Sequence, residues 1–186
     1  PRSYVSGSLS WRDLASTSTG SLVNGPVFTT ASYGTILFDG VDDYCNLMGD
    51  NRLTVPTFTI TSVFKAYSYQ TNGTCIFTRE TARLNLGIFY GGNTGSYFFI
   101  RGDNYASTGA ELNGVPQNYP FLLNSWYHLT YIVDIPGNNY KCYVNGTQIF
   151  STGSVLGTTW ANTAVNDSVI SSRYIGTSAY SNLEVS

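Results

Sequence analysis

Three carboxylates lie within five residues in the segment Asp39-Gly40-Val41-Asp42-Asp43. Carboxylate oxygens are the ligands that calcium, a hard cation, prefers, so Asp39, Asp42 and Asp43 are candidate metal ligands. The spacing is not that of an EF-hand loop, which ends in a bidentate glutamate. A turn whose aspartate side chains accept hydrogen bonds from nearby backbone amides explains the same residues. No motif requires a cofactor, and calcium is the ion that this segment could bind.

Aromatic residues stand beside amide or carboxylate residues in three other parts of the chain, and this mixture could bind carbohydrate. Aromatic faces stack on sugar rings, while the polar side chains bond to hydroxyl groups. The same residues could instead be core tyrosines and turn asparagines, and both interpretations stay open. The segment 102–120 has no strand pattern, and loops of this length are usually functional or mobile. The candidate carbohydrate-binding residues are Tyr90, Asn93, Asp103, Asn104, Tyr105, Tyr119 and Trp160.

Motifs for catalysis are missing from the sequence. His128 is the one histidine, and Asp134 follows six residues later on the same predicted strand, where the two side chains are not expected to pair. Glycosidases need two carboxylates placed across the scissile bond, whereas Glu80, Glu111 and Glu184 stand far apart. No nucleophile-elbow motif occurs. We therefore predict that the chain is not an enzyme, with polysaccharide hydrolysis as the catalytic alternative.

Short alternating runs separated by turn residues must position these candidates, and they predict an all-β chain. The clearest run, 57–67, alternates Phe58 and Ile60 with threonines. Asn145-Gly146 predicts a two-residue hairpin, because both central residues of a type I′ turn need positive φ. About ten strands without intervening helices predict one sandwich or barrel domain over residues 1–186. The predicted strands cover 35–38, 44–48, 57–67, 74–78, 84–90, 97–101, 126–134, 140–144, 147–150 and 174–176.

The composition excludes several classes of partner. Only 11% of the residues are charged and the net charge is −2, which argues against nucleic acid. The apolar runs are too short for a membrane span. Cys45, Cys75 and Cys142 are widely spaced and fit no zinc pattern. We expect three buried, reduced thiols, with one disulfide plus a free thiol as the alternative.

An ordered set of motifs runs along the chain, namely Ser10-Trp11-Arg12-Asp13-Leu14, Leu22-Val23-Asn24-Gly25-Pro26, 37–44, Phe58-Thr59-Ile60, Gly73-Thr74, Ile76-Phe77, 125–129, 143–146 and Tyr174-Ile175-Gly176. This ordered set resembles concanavalin A-like (laminin-G-like) domains. The resemblance covers nearly the whole chain and implies two antiparallel sheets in a jelly-roll sandwich. The opening of the chain, with Pro1-Arg2-Ser3-Tyr4, is most similar to the copies found in tailed-phage and other viral structural proteins.

The resemblance implies a non-catalytic surface module of a virion or similar assembly, such as a capsid decoration, tail or fibre component. Its expected partners are shell or tail proteins or neighbouring copies, together with cell-surface glycans, and its expected location is the virion surface or the extracellular space. The alternative is a free-standing, calcium-dependent lectin. Family members usually carry a strand before the position of Pro1 and another after Leu183, so we expect the first and last strands of the family to be missing here.

Overall fold

The structure, a computed structural model, describes the chain in segments that carry most of its strands. The described residues are 4, 7–14, 18–30, 34–47, 57–68, 74–79, 84–90, 96–102, 121–134, 136–137, 139–152, 168–171 and 182–186.

All regular elements among these residues are strands. They are β1 (Ser10–Arg12), β2 (Thr19–Val23), β3 (Val27–Thr29), β4 (Thr35–Asp39), β5 (Tyr44–Asn46), β6 (Thr57–Ala66), β7 (Thr74–Arg79), β8 (Leu84–Tyr90), β9 (Ser96–Gly102), β10 (Trp126–Asp134), β11 (Asn139–Val144), β12 (Thr147–Thr152), β13 (Ser168–Ile170) and β14 (Asn182–Val185). The described part of the chain holds no helix long and apolar enough to cross a membrane.

The strands form two antiparallel sheets of seven. The first sheet has the order β1-β2-β5-β13-β7-β8-β9, and the second has the order β12-β11-β10-β6-β14-β4-β3. The predicted all-β, two-sheet architecture is confirmed. The last strand, β14, lies between β6 and β4 and pairs antiparallel with both of them. The expectation about missing outer strands stays a prediction.

The core lies between the sheets because apolar side chains alternate along the long strands of the second sheet. Leu129, Tyr131 and Val133 of β10 are buried, and their strand neighbours point to the opposite, outer face. β6 directs Phe64 into the same core, where its ring lies 5.9 Å from that of Tyr127. The alternation predicted for 57–67 therefore agrees with the side chains of β6 that face the core.

The hairpin predicted at Asn145-Gly146 joins β11 to β12. Both residues have positive φ, at 50° and 81°, as a type I′ turn requires. Val144 pairs with Thr147 directly across the turn.

Five short strands were not predicted from the sequence, and their residues explain why. The strands β1, β3 and β13 have three residues each, which is too short for a visible alternation. Gly20 interrupts the strand pattern of the β2 sequence. Glycine is needed at this position because a Cβ there would lie 2.5 Å from the Sγ of Cys45. Glu184 places a charged residue inside β14. The predicted strand 174–176 lies outside the described residues.

The thiols of Cys45 and Cys142 are free and buried, as predicted. Burial raises the pKa of each to about 12, so both stay protonated near neutral pH. Cys75 lies in β7, and its side chain is not described.

Candidate functional site

The residues 39–43, which we call the Asp turn, connect the two sheets. Asp39 ends β4 in the second sheet, and Tyr44 begins β5 in the first. Gly40 has a φ of +79°, and a Cβ at this position would lie 2.7 Å from the Cβ of Asn182 in β14. Glycine is therefore required both for the backbone conformation and for the close approach of β14.

Backbone amides satisfy two of the three carboxylates in the Asp turn. Asp39 Oδ1 accepts hydrogen bonds from the amides of Val41 and Asp42, at 2.7 and 3.4 Å. Asp43 Oδ2 accepts one from the amide of Asp39 at 3.1 Å. The side chain of Asn24, in the turn after β2, donates to the Asp42 carbonyl at 2.9 Å. The geometry is that of a hydrogen-bonded turn.

The same turn concentrates negative charge. One carboxylate oxygen from each of Asp39, Asp42 and Asp43 lies within 4.8 Å of the other two. Asp43 is only 4% exposed, and burial raises its pKa, although the hydrogen bond from the Asp39 amide opposes this rise. The negative charges of Asp39 and Asp42 raise it further. A bound cation would relieve this repulsion. Calcium binding by the three predicted residues stays a prediction.

The predicted carbohydrate-binding residues fall almost entirely outside the described part of the chain. Tyr90 is the last residue of β8, a strand of the first sheet, and its side chain is not described. The other six, Asn93, Asp103, Asn104, Tyr105, Tyr119 and Trp160, lie outside the described residues. Their contribution to a common site therefore stays a prediction.

A second polar site, which sequence reasoning missed, lies on the outer face of the second sheet. Glu184 of β14 pairs across the strands with Lys65 of β6, and Lys65 pairs in turn with Trp126 of β10. Because Leu183 and Val185 enter the core, Glu184 points to the outer face, yet it is only 3% exposed. A carboxylate buried to this degree is uncommon unless it is paired.

Three side chains satisfy Glu184, and together with it they form what we call the Glu184 cluster. Lys65 Nζ lies 2.7 Å from Oε2 of Glu184, and the Tyr67 hydroxyl donates to the same oxygen. The Thr35 hydroxyl donates to Oε1. The ammonium group of Lys65 also lies 4.8 Å from the ring centroids of both Tyr67 and Trp126, which is within the range of cation–π attraction.

The Glu184 cluster shifts the pKa values of its members in consistent directions. Burial alone would raise the pKa of Glu184, but the hydrogen bonds from Lys65, Thr35 and Tyr67 and the positive charge of Lys65 hold it below its usual value. The hydrogen bond to Glu184 raises the pKa of Lys65. Burial, followed by the hydrogen bond to Glu184, raises that of Tyr67. The carboxylate and the ammonium therefore both stay ionised across the neutral range.

The sequence pattern identifies part of this cluster, but not the strand pairing that completes it. Lys65 and Tyr67 belong to the outward set of the predicted strand 57–67, and Trp126 begins another predicted strand. The missing information was the pairing of β14 with β6. On the same outer face, His128 is exposed and Asp134 accepts a hydrogen bond from Thr57 at 3.1 Å. The two residues are six positions apart on β10.

Comparisons with known proteins agree with this architecture. The sequence profile of the concanavalin A-like lectin/glucanases superfamily matches residues 39–182. No curated protein matches the chain. Among solved structures, domain 4 of a GH43 extracellular arabinanase from Geobacillus stearothermophilus, in complex with arabinotriose, is similar with a TM-score of 0.60 and 14% identity, over 87% of this chain and 75% of that one.

A sialidase from Trypanosoma rangeli, solved in complex with sialic acid, is similar with a TM-score of 0.64 and 14% identity. The match covers 99% of this chain but 29% of the sialidase, so the chain spans less than a third of that protein. At this identity the likeness concerns the fold.

These neighbours correct the prediction that the chain is not an enzyme. The similar structures come from an arabinanase and a sialidase. The prediction was wrong because it treated the absence of familiar motifs on this fold as evidence against activity, and the fold is shared by enzymes and non-enzymes.

Proposed function

We propose that this chain, which belongs to the concanavalin A-like lectin/glucanase superfamily, is a carbohydrate-binding module. The observation that carries the proposal is the similarity over most of both chains to an arabinanase domain solved with a bound trisaccharide. The T. rangeli sialidase, solved with sialic acid, adds a second carbohydrate-related protein with this fold. The low charge of the chain suits a ligand recognised by stacking and hydroxyl contacts.

The proposal includes the candidate carbohydrate-binding residues and the candidate calcium site. Asp103, Asn104, Tyr105 and Tyr119, from the sequence segment 102–120, include aromatic rings and hydrogen-bonding groups, and so do Tyr90, Asn93 and Trp160. The Asp turn would bind calcium, which would stabilise the connection between the sheets and make glycan binding depend on the ion.

A glycan array with the intact chain tests this function, in calcium and again in a chelator. We expect binding of at least one class of oligosaccharide, and weaker binding in chelator. The matched control replaces Asp39, Asp42 and Asp43 with asparagine, which keeps the side-chain size while removing the charge. This variant should bind equally with and without chelator. The absence of binding to every glycan under both conditions would contradict the proposed function.

The same samples should be assayed for reducing sugar released from arabinan and from other polysaccharides. Because arabinanase and sialidase chains carry this fold, the release of sugar would extend the proposal from binding to hydrolysis. Active-site carboxylates would then be sought by replacing each aspartate and glutamate in turn.

An assembly role is the second candidate, and exposed apolar residues favour it. Leu9 and Leu14, which flank β1, are 75% and 70% exposed, and Val27 of β3 is 58% exposed. Tyr4 links these two edges, because it bridges to Trp11 and its ring stacks on Phe28. Together with the resemblance to viral structural proteins, they support contacts to shell or tail proteins, or to neighbouring copies, on a virion surface or in the extracellular space.

The assembly role can be tested by electron microscopy of particles labelled with an antibody against the chain. Ordered labelling of a shell, tail or fibre would support it, and Leu9→Ser with Leu14→Ser should then weaken attachment. The assembly role would be contradicted if the chain were found only free in solution and if the variant with Leu9→Ser and Leu14→Ser behaved like the unaltered chain.

A further inference from the structure

We propose that the outer face of the second sheet around Trp126 and Lys65 is a binding surface for a neutral oligosaccharide. This inference rests on the proposed carbohydrate-binding function and assigns it a site among the described residues. The surface consists of Lys65 and Val63 of β6 and of Trp126 and His128 of β10.

Strand pairing places these four side chains in two adjacent rows. Lys65 lies directly opposite Trp126, and Val63 lies directly opposite His128. Val63 and His128 are exposed, while Lys65 and Trp126 are partly exposed. Paired side chains on one face of antiparallel strands lie about 5 Å apart, so the four form a continuous strip. An indole beside an apolar side chain and two hydrogen-bonding side chains suits the mixed polarity of a sugar ring.

The charge of this strip favours a neutral ligand over an anion. The ammonium group of Lys65 is already paired with Glu184 at 2.7 Å. An acidic sugar approaching Lys65 would meet the carboxylate of Glu184 at the same place, and the like charges would repel each other. A hydroxyl group, in contrast, can accept a hydrogen bond from Lys65 without disturbing that pair.

The Glu184 cluster also holds the strip ready for binding. A lysine side chain normally loses conformational entropy when it contacts a ligand. Here Glu184 and the rings of Tyr67 and Trp126 already fix Lys65. Because a buried ion pair adds little stability beyond that of an apolar replacement, a role in positioning Lys65 gives a reason for placing it on this face. Glu184 is thus a positioning residue.

The test compares Trp126→Ala with the matched control Tyr143→Ala. Tyr143 is an aromatic residue on the same outer face, and it pairs with Thr130, four residues along β10 from Trp126. Its backbone position therefore lies more than about 13 Å from that of Trp126. Binding would be measured by calorimetry with arabinotriose and with any neutral oligosaccharide that binds on the array, and with sialyllactose as the anionic probe. Circular dichroism and thermal melting would show that each variant is folded.

We expect Trp126→Ala to weaken the binding of the neutral probe by at least about tenfold, which corresponds to about 1.4 kcal/mol, and Tyr143→Ala to leave it unchanged. Trp126→Phe, which keeps an aromatic face, should retain part of the affinity. Lys65→Met should weaken the neutral probe without creating affinity for sialyllactose.

Two outcomes would overturn the assignment while leaving the proposed function intact. One is undiminished glycan binding by folded Trp126→Ala together with loss of binding on replacing Tyr105 or Tyr119. The other is a preference of the unaltered chain for sialyllactose over every neutral probe. Failure of the unaltered chain to bind any glycan would overturn both proposals.

Discussion

The Asp turn and the Glu184 cluster each surround a buried carboxylate, but with groups of opposite charge. Each holds a carboxylate that is almost fully buried, namely Asp43 at 4% exposure and Glu184 at 3%. Asp43 has two further carboxylates beside it and a backbone amide as its donor. Glu184 has an ammonium and two hydroxyls around it. Burial leaves the pKa of Asp43 raised, whereas the partners of Glu184 bring its pKa below the usual value.

The difference shows that burial alone does not determine what a carboxylate does. Glu184 is electrically compensated within the protein, so it can organise neighbouring groups such as Lys65. The Asp turn keeps uncompensated negative charge, which leaves it able to gain from a cation. The two regions meet at β14, because Asn182 packs against Gly40 and Glu184 follows two residues later.

Removing the compensated carboxylate should have the largest effect on stability. We expect Glu184→Ala to lower the free energy of unfolding by about 2–4 kcal/mol, because Lys65, Thr35 and Tyr67 lose their shared partner. Glu184→Gln retains an acceptor oxygen and should cost less. Urea denaturation of both variants measures the difference. A cost below that of an exposed control, Thr59→Ala, would mean that the cluster does not stabilise β14.

Gly40→Ala breaks the contact that joins the two regions, and we expect a cost of about 2–3 kcal/mol. The new Cβ would meet Asn182, and the residue would keep a strained positive φ. Gly7→Ala is the matched control, since Gly7 has a φ of +78° with nothing within 4 Å of the added atom. Thermal melting should show a larger loss for Gly40→Ala. Equal losses would show that backbone strain alone is responsible.

Asp43→Asn removes an uncompensated charge, so without calcium we expect it to stabilise the chain by about 1 kcal/mol. The folded state raises the pKa of Asp43, so the carboxyl contributes less stability as the pH rises from 3.8 through that raised pKa. The gain should therefore be present at pH 7 and absent well below pH 3.8. Calcium should raise the melting temperature of the unaltered chain more than that of the variant.

Asp42→Asn, which removes an exposed carboxylate of the same turn, is measured in the same melting series. A calcium response that is identical in all three proteins would place the ion elsewhere. Destabilisation by Asp43→Asn at pH 7 without calcium would contradict the assignment of Asp43 as an uncompensated charge.

The smallest expected effect is the pH dependence of the Glu184 cluster. Because folding lowers the pKa of Glu184, its contribution is present above the unfolded value of 4.5 and is lost as the pH falls through the folded value. The stability difference between the unaltered chain and Glu184→Gln should thus shrink between pH 5 and strongly acidic pH. A difference that stays constant over this range would exclude ionisation of Glu184 as its source.

Sequence reasoning succeeded where the determining contacts are local. The alternation of 57–67 and the Asn145-Gly146 turn depend on neighbouring residues. Asp39, Asp42 and Asp43 are also close in the sequence, and their role as metal ligands stays a prediction. The Glu184 cluster depends on pairs 149 and 117 residues apart, Thr35 and Tyr67 with Glu184, which no local pattern encodes. The exclusion of enzyme activity failed for a different reason, since it rested on missing motifs and the fold is shared by enzymes and non-enzymes.

The position of β14 has a consequence for how the chain is made. The second sheet consists of β12-β11-β10-β6 on one side of β14 and of β4-β3 on the other, so neither part can join the other until residues 182–185 arrive. During synthesis, β4 and β6 leave the ribosome more than a hundred residues before this strand does. Their edges that face β14 cannot pair with it before then, and we expect such non-local pairing to slow folding.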